Sequence, residues 1–368
     1  MKKTLLASAI AAATFSGAVA AQESNMPTFY GNIQYVYNYN DSDQTGSSSK
    51  HTDNGTTVGL THEHAISSGI EAFMKIELEV VAAEEKGAGN GLADLDEAYI
   101  GVRGDSFGQV WIGSDDSIYE SQLGDYGNWV FEYASLNPYA SYTTGEGDLI
   151  QYMSPSFGGL TFSGAVQING TAEPKGTSES SQYSLAVDED GDTLLDDQGQ
   201  PLVYETVVTE ASGDKSYPYQ LGVSYSMAGL TASLVMDSND SDVDASNENS
   251  YGVAFEYAID ALVLDAYYDY RAGLDGAGNT DFVLDGVEGR SQIGLMATYN
   301  LGANTFRAAY EMSEADEGDL EVDVLTLQAL HNVSDNLYVY TEVARRNNDN
   351  GAADEEINQI NVGGVYYF

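Results

Sequence analysis

Between Ser114 and about Gly147 the chain reads SDDSIYESQLGDYGNWVFEYASLNPYASYTTGEG, with carboxylates at Asp115, Asp116, Glu120, Asp125, Glu132 and Glu146 and no Lys or Arg among them. Nucleophilic or acid–base catalysis needs a nucleophile or activated water held beside a base. The stretch holds no histidine to serve as one. Its acids suit electrostatics instead. Enclosed around water by low-dielectric walls, charges of one sign concentrate cations and turn anions away. Taken singly, each also reads as a solvated loop acid. The interleaved aromatics Tyr119, Tyr126, Trp129, Phe131 and Tyr133 offer either a stacking track for sugar rings or apolar faces that pack the loop onto a wall.

A second acidic run, VDEDGDTLLDD, sets Asp188, Asp190 and Asp192 at alternate positions, with Asp196 and Asp197 following. That spacing lets several oxygens converge on a hard cation such as calcium. It departs from the EF-hand loop: Thr193 stands where glycine is required, and Gly199 where a bidentate glutamate belongs. A solvated acidic loop is the competing reading, and no other cofactor is expected. His62 and His64 flank Glu63 but share their strand face with Val58 and Leu60, while His51 and His331 stand apart. No catalytic constellation emerges, so no enzymatic activity is expected.

The elements that must position these acids alternate with a period of two. In FYGNIQYVYNY, Phe29, Ile33, Tyr35, Tyr37 and Tyr39 oppose Tyr30, Asn32, Gln34 and Asn38. In IEAFMKIELEV, Ile70, Met74, Ile76 and Leu78 oppose Glu71, Lys75, Glu77 and Glu79. Side chains alternate in this way along strands, not helices. Sixteen such segments follow one another, the first Phe29 to Tyr39 and the last Ile357 to Phe368. Seven connections are short, near Ser67, Asp105, Pro155, Ala228, Asp260, Gly302 and Asp335, and eight are longer. Alternating short turns and long loops suit an antiparallel barrel crossing a membrane. A solenoid would repeat at a fixed length, and none is visible. A multi-sandwich adhesin shares the alternation but not the features of the two ends.

Met1 to Ala20 has a basic start at Lys2 and Lys3, an apolar run and the small-residue exit Ala18-Val19-Ala20. This is the layout of a secretory signal peptide with cleavage after Ala20 or Ala21, leaving 21–368 as a single domain. Removal takes two of the 13 basic residues, moving the net charge from −45 to −47 against 58 acids. Such a chain repels phosphate backbones, so nucleic acid is excluded as a partner. Acidic outer loops of this kind would also stay hydrated in saline surroundings, where screening shortens repulsion. No later apolar run is long enough for a transmembrane helix. The chain ends on the strand INQINVGGVYYF, with Ile360, Val362, Gly364, Tyr366 and Phe368 on one face and Asn361, Gly363, Val365 and Tyr367 on the other. A closed barrel must pair such a strand with its first to leave no edge in lipid.

FYGNIQ in the first strand, EAYIGVRGDSFGQVWIG, IQYMSPSFGGLTFSGAVQ and the terminal GGVYYF together resemble the general-diffusion porins of Gram-negative outer membranes. The resemblance covers nearly the whole mature chain. It implies an all-β, 16-stranded antiparallel transmembrane barrel whose third loop folds into the lumen and constricts the pore at Asp115, Asp116, Glu120, Asp125 and Glu132. It also implies a homotrimer in outer-membrane lipid, with Phe368 and Tyr366 read by the assembly machinery. The expected function is passive diffusion of ions and small hydrophilic solutes with a preference for cations. A substrate-specific sugar channel is the alternative.

Members of this family commonly face the acidic loop with arginines on the opposite wall. The matching positions in this chain, Thr57, Tyr99 and roughly Met153, are not basic. Alternation leaves Lys75, Arg103, Arg307 and Arg346 as the only bases expected to face inward. Either they help to set the pore field or they pair with Glu71, Glu77 or Glu97 and brace the wall, a contact that contributes little energy where exposed.

Overall fold

The computed structural model describes residues 26–80, 94–123, 130–134, 144, 146–168, 177–185, 203–211, 217–239, 249–274, 288–316, 320–350 and 354–368. The first half contains β1 (Thr28–Ser42), β2 (Gly46–Asp53), β3 (Thr57–Ser67), β4 (Ile70–Glu79), β5 (Asp94–Gly104), β6 (Gly108–Ser114), a short helix α1 (Ile118–Leu123), β7 (Leu149–Met153), β8 (Leu160–Gln167), β9 (Thr177–Leu185) and β10 (Val203–Ala211). The second contains β11 (Tyr219–Met227), β12 (Leu230–Asp237), β13 (Ser250–Ile259), β14 (Leu262–Leu274), β15 (Glu288–Leu301), β16 (Asn304–Ala315), β17 (Leu320–Ser334), β18 (Leu337–Asn350) and β19 (Asp354–Tyr367).

Seventeen of these strands, all but β9 and β10, form one closed antiparallel barrel sheet of sixteen strand positions, β2 and β3 sharing the position next to β1. The ring closes where β1 pairs with β19, Ile33 opposite Tyr366 and Tyr39 opposite Ile360. At this seam the Phe368 N–H donates to Gly31 O at 3.0 Å, the Gly31 N–H returns a bond to Phe368 O at 3.2 Å, and Phe368 packs on Phe29. Closure satisfies the backbone groups that lipid cannot.

Alternation sorts the wall as the sequence pattern predicts. Ile33, Phe255, Leu295, Leu325, Val343 and Ile360 are exposed on the outside, while Gln151, Gln220, Gln328 and Asn361 are buried inside. Apolar outside and polar inside is the inverse of a water-soluble fold and fits a barrel with lipid around it. The tight turns bring residues into the left-handed region, with φ of 75° at Gly69 and 59° at Gly302, and also at Ala228 (52°) and Asp260 (51°). Such turns are sterically cheap only for glycine.

Three features exceed the sequence pattern. The first and last strands run on past Tyr39 to Ser42 and back before Ile357 to Asp354; β1 stays paired with β19 up to Ser42 opposite Ile357, and the added residues of β19 pair with β18. Their added residues are Asn, Asp, Ser and Glu, and ladder hydrogen bonds do not need apolar side chains. The β9–β10 hairpin forms a separate two-stranded sheet. Finally, β2 pairs with the upper part of β1, while β3 pairs only with its start, Thr28 to Gly31. The second barrel position is thus filled by two strands broken at Asn54, Gly55 and Thr56.

Candidate functional site

The described residues of the connection from β6 to β7 pack against strands of the barrel wall. Ser117 starts α1, its Oγ accepting the Glu120 N–H at 3.2 Å, as an N-cap serine does. Ile118, Tyr119 and Leu123 are buried in one cluster with Trp111, Ala165, Val235, Ala254 and Tyr267. Burying each such side chain is worth about 1.5–3 kcal/mol, which draws the helix onto the wall. Glycine makes the room: a Cβ at Gly252 would overlap the Leu123 side chain.

Polar contacts fix the register of this packing. The Tyr119 N–H donates to Gln220 Oε1 at 2.9 Å, and its hydroxyl donates to the Asp269 carboxylate. Gln122 Nε2 donates to Ser163 Oγ at 2.5 Å. Further along, the N–H groups of Glu132 and Tyr133 both donate to the Glu342 carboxylate, at 2.6 and 3.0 Å. The Tyr338 hydroxyl donates to Glu132 Oε2 at 2.8 Å, and Val130, Phe131 and Ala134 pack with Met296, Ala309 and Ala344. The neck closes where the Asp115 N–H meets Glu146 O at 3.0 Å.

Carboxylates and bases meet on the wall beside this neck. Lys75 Nζ lies 2.5 Å from Glu97 and 3.7 Å from Glu77. At the short-turn end of β5, away from the neck, Arg103 bridges Glu63 and Glu71. Asp115 accepts the Trp111 indole N–H at 2.6 Å. Burial pushes its carboxyl up to about 6, assisted by the neighbouring Asp116, while Trp111 and Lys75 pull the other way. Burial also raises Asp116, with Lys75 opposing. Carboxylate oxygens of Asp116, Glu120 and Glu146 lie within 4.8 Å of one another, close enough for one cation to touch all three.

A family model described as Gram-negative porin matches residues 7–351. This chain belongs to the Gram-negative porin family. Two Halomonas proteins, a monosaccharide porin of Halomonas sp and the major outer membrane protein of Halomonas elongata, are each 28% identical over all of both chains. Among solved structures, an anion-selective porin from Comamonas acidovorans superposes with a TM-score of 0.69 at 16% identity, covering 93% of this chain and 99% of that one. The porin resides in the outer membrane of a Gram-negative bacterium.

Several residues singled out in the sequence fall in different surroundings. Glu132 is tied to the wall through its backbone and carboxylate rather than standing free in water. Tyr119 and Phe131 are buried against the wall, which withdraws them from any stacking track. Tyr366 and Phe368 face outward. Asp125, Tyr126, Trp129, the signal segment 1–20 and the acids Asp188, Asp190, Asp192 and Asp196 lie outside the described residues.

The expectation of only four inward bases is corrected. Arg271 and Arg290, cross-strand partners on β14 and β15, are 1% and 2% exposed. Lys50 also turns in, its Nζ 5.6 Å from the centroid of the Tyr133 ring. Arg271 shares the parity of Asp265 and Asp269, so alternation itself could have found it. Arg290 precedes the apolar part of its strand, and Lys50 lies in a segment with no apolar alternation, so neither carried a signal. Arg307 lies within electrostatic reach of Glu132, Glu342 and Asp265, and Arg346 Nε donates to Asn348 Oδ1 at 2.5 Å. Lys75, Arg103 and Arg307 thus stand among carboxylates.

Proposed function

We propose that this porin is a passive, water-filled pathway for ions and small hydrophilic solutes, narrowed by the loop between β6 and β7 and preferring cations. The observation that carries the preference is the surplus of carboxylates at the neck. Glu77, Glu97, Asp115 and Asp116 gather around the single ammonium of Lys75. Fixed carboxylates in a confined lumen raise the local cation concentration. The anion selectivity of the Comamonas porin belongs to a chain that shares the fold at 16% identity. It lends the preference no support, which rests on the side chains of this lumen alone.

Planar-bilayer recording tests the reading. Ohmic steps with a reversal potential on the cation side in a potassium chloride gradient are expected. A reversal potential at zero or on the anion side would overturn the preference, and absence of conductance would overturn the pore.

A second reading, a sugar-selective channel, is favoured by the monosaccharide porin among the relatives. Saturable block of the ionic current by a monosaccharide would support it. The outer-membrane setting also leads us to infer that 1–20 is removed as a signal peptide, that Phe368 and Tyr366 guide assembly, and that the working unit is a homotrimer.

A further inference from the structure

Asn54 stands where the second barrel position changes strand. β1 pairs with β2 as far as Tyr35 opposite Asp53 and with β3 from Gly31 opposite Val58, so the regular pairing breaks at residues 54–56, with the Asn54 N–H reaching Gln34 O at only 3.4 Å. The Asp53 carboxylate holds this corner, accepting the N–H groups of Gly55 at 3.0 Å and Thr56 at 2.9 Å and the Thr56 hydroxyl at 2.5 Å. Gly55 supplies the reversal with φ of 92°, a conformation costly for any other residue. The wall on either side is stitched to the corner: the Gln34 N–H donates to Thr56 Oγ1 at 3.0 Å and the Val80 N–H to Thr56 O at 2.7 Å.

The corner directs the Asn54 side chain at the inserted loop. Its Nδ2 donates to Glu132 O at 2.7 Å and reaches the Tyr340 hydroxyl at 3.4 Å. Glu132 is thereby gripped at each end of its backbone, its N–H by Glu342 and its carbonyl by Asn54. The next residue is gripped as well, because Lys50 of β2 sits over the Tyr133 ring. Both contacts come from one side, the hairpin β1–β2 next to β19.

We propose that the broken second strand is a mount for the inserted loop, with Asn54 and Lys50 as positioning residues that couple the β1–β2 hairpin to the narrow part of the pore. An unbroken strand would keep residue 54 in the ladder, with its side chain confined to the wall. A ligand or partner that displaces the hairpin would pull on Glu132 and Tyr133 and alter the passage. The proposal rests on the channel reading for its consequence, but the mount itself has a readout that does not need conductance.

That readout is hydrogen exchange by mass spectrometry at the Glu132 and Tyr133 amides in the full-length barrel, paired with single-channel recording. Asn54→Ala and the isosteric Asn54→Asp, which removes the donor without removing volume, should each speed exchange at these amides about fivefold, as loss of one hydrogen bond does. Both should multiply brief partial closures. His51→Ala, which alters the same hairpin where His51 stacks on Tyr35, should leave exchange and current as they are. Unchanged exchange at Glu132 and Tyr133 in both Asn54 variants would overturn the mount. Faster exchange in a barrel that carries no current would keep the mount and overturn the channel reading instead. If Asn54→Ala does not assemble, Lys50→Ala carries the same test at Tyr133, and unchanged exchange there is the overturning result.

Discussion

Lys75 Nζ sits 2.5 Å from Glu97 Oε2, an ion pair formed across neighbouring strands on the lumen wall. Both side chains are mostly withdrawn from water, 16% and 15% exposed. Glu77 on Lys75's own strand and Asp115 at the loop neck share the same ammonium. One cation therefore neutralises part of a larger negative cluster, and the pore meets the remainder.

Replacing that cation isolates the cluster. Lys75→Met keeps the length of the side chain and removes its charge, so the potassium-to-chloride permeability ratio should rise severalfold. The cost is stability, since stripping a partner from a largely buried pair costs about 3–5 kcal/mol. Lower heat resistance should therefore accompany higher cation preference. Glu97→Gln should move the ratio the other way. Reversal potentials of the two variants in a salt gradient check both, and equal ratios would remove the cluster from selectivity.

How much of this was legible in the sequence follows from the physics of each part. Strand parity is local, so the inward set Glu71, Lys75, Glu77 and Arg103 could be placed from alternation. The mate of each base was harder: Arg103 takes Glu63 from β3 as well as Glu71 from β4, and a cross-strand register is not written in either strand alone. The anchors of the inserted loop were invisible. Glu342 meets Glu132 across more than two hundred residues, and nothing in the local pattern distinguishes it from any other lumen acid. The corner at Asn54 was missed because a polar, glycine-containing stretch reads as loop whether it hangs in water or turns a strand.

The neck should respond to acid. Burial lifts Asp115 to about 6, so it is charged at pH 7 and largely protonated at pH 5. Cation preference should fall as pH is lowered through that window, and Asp115→Asn should flatten the fall. The linkage has the opposite sign for stability. A carboxyl whose folded value is raised favours the fold when protonated, so its contribution is present at low pH and is lost as pH rises through about 6. Reversal potentials from pH 7.5 to 4.5 provide the check.

Seating of α1 depends on empty space on the wall. A larger residue at Gly252 must meet Leu123, and the helix then has to lift because the β13 backbone cannot yield. Gly252→Leu should release the Ile118, Tyr119 and Leu123 face from its cluster while the barrel still closes. Quenching of Trp111 fluorescence by a soluble quencher should increase, since Trp111 is 7% exposed beneath that helix. Unaltered quenching would mean that the loop seats without the glycine.

The seam offers a test of whether Phe368 does more than close the barrel. Phe368 contributes main-chain bonds to Gly31 at 3.0 and 3.2 Å and a ring that packs on Phe29 with centroids 5.8 Å apart. A Cβ at Gly31 would come within 2.7 Å of that ring and of Thr57 O, so the seam is built to fit it. Phe368→Ala keeps both main-chain bonds and loses the ring, an aromatic pair worth about 0.5–1.5 kcal/mol beyond its buried area. Purified, refolded Phe368→Ala should therefore still form a barrel, with a modest drop in the temperature at which it unfolds in detergent. If the terminal aromatic also guides insertion, the amount reaching the outer membrane in cells should fall far more than that drop explains. Comparing heat-shifted gel mobility of refolded protein with outer-membrane yield distinguishes the roles. A yield that merely tracks the lost stability would leave Phe368 a seam residue and nothing more.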